Sequence, residues 1–161
     1  MRQPDFQKIF FDYFGKIPRK VSYSVRQDSN RDHDLIFLGS LIHDARFMVP
    51  KVTFRRNRLL IPMNRDCWEL GIDKEDGTLG LYTTESRLTI YPVCSVEWSF
   101  THGLQMERQE LGITNLWLLQ PTNSENRALI IDGFDWSCKV TFPELNLHVT
   151  LKDTEIPSFH K

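Results

Sequence analysis

The sequence predicts an all-β protein, an antiparallel β-sandwich or barrel of about ten strands with a short N-terminal amphipathic helix and one further short helix. Three observations lead there. Apolar residues recur with a period of two in several segments, clusters of turn-forming residues separate those segments, and the chain is rich in aromatics, with eleven Phe, four Tyr and four Trp in 161 residues. Alternation with one wet face is the pattern of antiparallel sheet, because successive side chains on a strand point to opposite faces.

A chain of this length buries roughly 70% of its unfolded surface, so one core suffices. No internal repeat, linker or low-complexity segment divides it, and residues 1–161 read as one β-rich domain.

Taken in order, Phe6, Ile9, Phe10, Tyr13 and Phe14 fall at helical spacing, with Pro4 and Asp5 suited to a first turn and Gly15 to a C-terminal cap. This helix, residues 4–15, is expected to pack its apolar stripe on the domain. After Pro18 the period becomes two. Val21, Tyr23 and Val25 alternate with Ser22, Ser24 and Arg26; Val96, Trp98 and Phe100 alternate with Glu97 and Ser99; Leu145, Leu147, Val149 and Leu151 alternate with Asn146, His148 and Thr150. Further strands are expected near 35–48, 51–54, 58–63, 67–72, 78–82, 87–93, 113–120 and 128–132. Turn-like separators lie at 55–58, 73–77 and 121–126. His102 to Gly112, a charged run ending in glycine, reads as the second short helix.

The segment "DHDLIFLGSLIHDARF" carries two His-Asp dipeptides ten residues apart. As a continuous strand bulged at Gly39, it places His33 and His43 about 33 Å apart at about 3.3 Å per residue, beyond any shared metal. A two-residue turn at Gly39–Ser40 puts the histidines on opposite faces. Only a three-residue loop, Leu38 to Ser40, gathers them, and it sets Asp34 against Asp44, like charges that need a cation or a shared proton between them. The strand is the expected form, and a metal site of His33, Asp34, His43, Asp44 and the loop residue His102 is the alternative. HD-type phosphohydrolases also carry a His-Asp dipeptide, but on helices with further His and Asp ligands, and the β-rich context here sets that resemblance aside.

Between Arg46 and Arg65 the chain has six basic residues and no acidic one. Arg55, Arg56 and Arg58 fall at an expected hairpin tip, where guanidinium forks suit carboxylates and phosphates. The acidic stretch Asp66 to Asp76 is the expected counterweight. The overall net charge of -1 gives no global attraction to nucleic acid or to an anionic membrane. No run approaches the roughly 20 apolar residues that span a bilayer, and Asp5, Gln7, Lys8 and Asp12 interrupt the N-terminal stretch before it reaches signal-peptide length. Cys67, Cys94 and Cys138 are odd in number and lack C-x-x-C spacing, which fits reduced thiols in the cytoplasm. Neither a nucleophile elbow nor a cysteine-protease signature accompanies Cys67, and no phosphate loop, H-E-x-x-H or calcium loop is present.

The expected function is therefore non-catalytic binding, to a protein partner rather than to nucleic acid, through Arg46, Arg55, Arg56 and Arg58, with no cofactor. A metal-dependent hydrolase or metal-binding protein using the His-Asp pairs is one alternative. A carrier of an apolar small ligand, suggested by the aromatic content, is another.

Overall fold

The alternating segments pair into antiparallel ladders, and the ladders form two sheets. The structure, a computed structural model, describes residues 19–27, 32–70, 80–101, 108–119, 127–143 and 147–160. Within these, the elements in chain order are β1 (Ser22–Gln27), α1 (Asp32–Ile42), β2 (Arg46–Met48), β3 (Thr53–Arg55), β4 (Arg58–Asp66), β5 (Leu81–Tyr91) and β6 (Ser95–Phe100). They continue with β7 (Glu110–Gly112), β8 (Asn115–Leu119), β9 (Arg127–Gly133), β10 (Trp136–Phe142), β11 (Leu147–Asp153) and β12 (Ser158–His160). The large sheet runs β1-β11-β5-β4-β2-β7, with β12 also on β5 and β3 also on β4; the small sheet runs β6-β10-β9-β8.

Register explains which residues enter the core. Val25 faces Val149, Val149 faces Ile90 and Ile90 faces Leu59, a row of apolar side chains across four strands, all buried. In the small sheet Leu116, Ile131, Cys138 and Trp98 form the corresponding row. One apolar cluster takes in both sheets and the helix. Each fully buried aliphatic side chain in it contributes roughly 1.5–3 kcal/mol of transfer free energy.

Among the described residues the chain passes between the sheets from β5 to β6, where Val93 N donates to Asn57 O and Cys94 N to Thr141 O, and again from β7 to β8. Ile113 exchanges backbone hydrogen bonds with Asp44 and Ala45 beside the large sheet, and the next residue, Thr114, donates to Asp132 of the small one. The indole of Trp136 donates to Gly112 O at 3.0 Å across this crossing. Gly133 is needed here for space, since a Cβ would stand 2.0 Å from Gly112 O and 2.2 Å from Trp136 Nε1.

Several expectations change. Residues 35–48 are not a strand: Asp32–Ile42 is helical, and only Arg46–Met48 of that span is extended. The apolar run is continuous, which periodicity alone cannot assign to helix or strand. The helix prevails because Leu35, Leu38, Leu41 and Ile42 fall at helical spacing and are all buried, against β8, β1 and β4. Gly39, read as a bulge, sits inside the helix, and the Ser40 hydroxyl bonds back to Ile36 O at 3.0 Å. Glu110–Gly112, expected to end a second helix, is strand β7, because Leu111 opposite Phe47 enters the core. Trp68–Leu70 is a 3-10 turn rather than strand. The separate strands near 78–82 and 87–93 are one, β5, and β10 and β12 add to the expected set. The expected helix at 4–15 and residues 102–107 lie outside the described residues. Among the described residues no helix is long and apolar enough to cross a membrane.

Candidate functional site

The hairpin expected at 55–58 is present. Arg55 pairs with Arg58, and the two residues between them, Arg56 and Asn57, have φ of 52° and 61°, the left-handed pair of a type I′ turn. Both features carry a local cost. Like charges directly opposed across a ladder repel, and a non-glycine residue in the left-handed region costs roughly 1–2 kcal/mol. Val93 N donates to Asn57 O at 2.8 Å, which anchors the turn, and the Arg58 guanidinium lies 5.6 Å above the Tyr91 ring.

Register extends this tip into a face. On the side of the large sheet away from the core, Arg26 faces His148 and His148 faces Tyr91. Arg58 lies over Tyr91 and pairs with Arg55. The row crosses five strands, about 19 Å at 4.8 Å per strand. The next row is Ser24, Thr150, Thr89, Leu60 and Thr53, and the third is Ser22, Lys152, Arg87 and Pro62. These three rows hold no acidic residue. Arg26, Arg55, Arg56, Arg58, Arg87 and Lys152 are all exposed, and none of them forms an ion pair among the described residues. Sequence reading found the tip but not Arg26, Arg87 and Lys152, because they come from three strands whose register no single segment encodes.

Arg46 shares the face but not the tip. It pairs with Asn64 of β4, six residues from Arg58, so about 20 Å away along the strand. Its Nη1 and Nη2 both donate to Asp66 Oδ1 at 3.1 Å, Nη1 also donates to Asp44 O at 3.3 Å, and Nε stands 4.0 Å from Glu110 Oε1. The acidic stretch expected to balance the tip is engaged elsewhere in its described part: Asp66 holds Arg46, and Glu69 holds Arg65.

Arg65 itself leaves the basic surface altogether. Alternation along β4 puts it on the core side after Leu59, Ile61 and Met63, and it is fully buried. Its Nε and Nη2 donate to Asp153 Oδ1 and Oδ2, each at 2.8 Å, while Nη1 and Nη2 donate to Glu69 Oε2 and Oε1 at 3.0 and 2.6 Å. Ser86 Oγ and Val21 N complete Asp153 at 2.6 and 2.8 Å. Burial alone lowers the guanidinium pKa, but hydrogen bonds to Asp153 and Glu69 reverse this and leave it raised. Burial also pushes the neighbouring Cys67 thiol up to about 12, against the pull of Arg65 and with the push of Glu69 and Asp153. Cys67 is thus a neutral core thiol without the features of a nucleophile.

The His-Asp pairs stand at the two ends of α1. His33 and Asp34 lie in its first turn and His43 and Asp44 just past its last, ten residues or about 15 Å apart along the axis at 1.5 Å per residue. The dipeptides thus stand at a helix after all, but at its opposite ends, too far apart to share one metal. Among the described residues no three His, Cys, Asp or Glu side chains gather as a metal-holding group. His43 Nδ1 sits 3.0 Å from Asp44 Oδ2, both half exposed, and Asp44 adopts the left-handed conformation common after a helix end (φ 64°). Trp68 Nε1 donates to His43 O at 3.0 Å and satisfies one terminal carbonyl. His102 lies outside the described residues.

Three of the aromatics pack on one another: Phe47 lies 5.1 Å from Trp136 and 6.0 Å from Trp98, and Trp98 lies 6.1 Å from Trp136. Compared with known protein families, curated proteins and solved structures, the chain matches none of them.

Proposed function

We propose that this protein is a non-catalytic β-sandwich that works by binding another protein, through the outer face of its large sheet centred on Arg55, Arg56 and Arg58 and reaching Arg46 at the far end. The observation that carries this reading is five exposed cations in the outer rows of the large sheet and Arg56 in the turn at their edge, none in an ion pair among the described residues, with Arg56 holding a left-handed backbone. Strain and repulsion persist in a fold when the surroundings over-determine them, and they cluster at binding loops. Electrostatic faces of this kind set association rate and partner choice more than raw affinity.

The test is comparative recovery of partners by the wild type and by a variant carrying Arg55→Ser, Arg56→Ser and Arg58→Ser. Depleted recovery by the variant agrees with the reading, and equal recovery of the same proteins contradicts it.

A further inference from the structure

We infer that the basic face recognises an extended, carboxylate-rich segment of its partner, and that Arg26, Arg87 and Lys152 belong to the site with the hairpin tip. The inference rests on the binding reading above and adds to it the partner's chemistry and the reach of the surface.

Charge complementarity selects an anion. Cations at Arg26, Arg58 and Arg55 flank the face in one row, and Lys152 and Arg87 sit side by side two rows away. Between these rows lie the hydroxyls of Ser24, Thr150, Thr89 and Thr53. Guanidinium forks and hydroxyls together offer carboxylates several donors at once, and five of the six cations are arginines.

The same face argues against two other occupants. A platform for single-stranded nucleic acid stacks bases on exposed aromatic rings. Here the three rows contain no Phe or Trp; their two rings are the imidazole of His148 and the phenol of Tyr91, and the Arg58 guanidinium already lies over the latter. A rigid globular partner needs a desolvated aromatic or aliphatic anchor at the centre of the contact. The central row offers only the half-buried Leu60, and the exposed Trp117, Leu119 and Phe134 belong to the small sheet. A flexible acidic segment requires neither stacking nor an apolar anchor.

Fluorescence anisotropy with a labelled oligo-glutamate peptide tests this on the full chain, with a labelled oligothymidylate of matched length as the comparison. The peptide is expected to bind, to bind more tightly than the oligothymidylate, and to weaken as salt rises. The combined Arg26→Ser, Arg87→Ser, Lys152→Ser variant is expected to bind it about tenfold more weakly, the size of effect that loss of several rim charges gives. The single Arg87→Gln variant is expected to show a smaller loss in the same direction and keeps the test valid should the triple variant misfold. Absence of peptide binding overturns the inference, as does preference for oligothymidylate. Loss in the tip variant alone, with Arg26, Arg87 and Lys152 variants unchanged, leaves the tip reading standing and overturns the extended face. Depleted recovery of partners by the tip variant, without peptide binding, likewise separates the two.

Discussion

Arg65 and Asp153 meet in the core through two parallel hydrogen bonds of 2.8 Å, although 88 residues separate them in sequence. Each reaches the pair by simple alternation, Arg65 after Leu59, Ile61 and Met63 on β4, and Asp153 after Leu147, Val149 and Leu151 on β11. Glu69, Ser86 and the amide of Val21 add further hydrogen bonds, so the buried charges are paired and hydrogen-bonded out of water. The pair ties β4 to β11 across β5 and also fixes the start of β1.

Breaking it is expected to be costly. Asp153→Ala leaves the guanidinium short of its bidentate partner in a dry site and is expected to lower stability by about 3–5 kcal/mol. Urea unfolding followed by tryptophan fluorescence measures this. A loss below about 1 kcal/mol, the size of an ordinary exposed pair, contradicts the network's role.

Two glycines separate helix propensity from space. At Gly39 a Cβ meets Leu116 Cβ at 3.6 Å, an ordinary contact, so Gly39→Ala is expected to stabilise the protein by about 0.5–1 kcal/mol. At Gly133 the added Cβ meets backbone at 2.0 Å, so Gly133→Ala is expected to cost about 1–3 kcal/mol through forced displacement of the sheet crossing. Thermal melts of the two variants should move in opposite directions, and a destabilised Gly39→Ala contradicts the helix at 32–42.

Burial holds the Cys67 and Cys138 thiols at about 12, up from the ordinary 9.0. A raised value means that the folded state binds protons the unfolded chain releases. Stability from these groups is full below pH 9 and falls as pH rises toward 12. Urea midpoints are expected to drop across that window, with a shallower drop in Cys138→Ala. At neutral pH a thiol-reactive disulfide reagent is expected to label the exposed Cys94 rapidly and the other two only on unfolding. Equal labelling of all three in the folded protein contradicts their burial.

Much of this architecture is legible in the sequence wherever one face of a strand is wet. β1, β6 and β11 follow directly from alternation, and a hairpin tip at 55–58 follows from its polar residues between two apolar runs, while its type I′ geometry emerges only in the structure. The helix is not legible, because "LIFLGSLI" is apolar on every side and its Gly39 imitates a bulge. Strand β7 is hidden by its length of three residues and its charged approach. For the site, local sequence reveals Arg55, Arg56 and Arg58 together. The cations that join them from β1, β5 and β11 depend on register between distant segments, as does the removal of Arg65 from the surface.

The basic face is tested most directly by a photo-crosslinking amino acid placed at position 56, with position 134 as the control. Phe134 is likewise exposed, on the β9–β10 turn of the small sheet, at the opposite end of β10 from the residues that adjoin the arginine hairpin. Crosslinking to an acidic partner protein from position 56 and not from position 134 is the predicted result. Equal capture from both positions, or capture from position 134 alone, contradicts a function carried by the arginine tip.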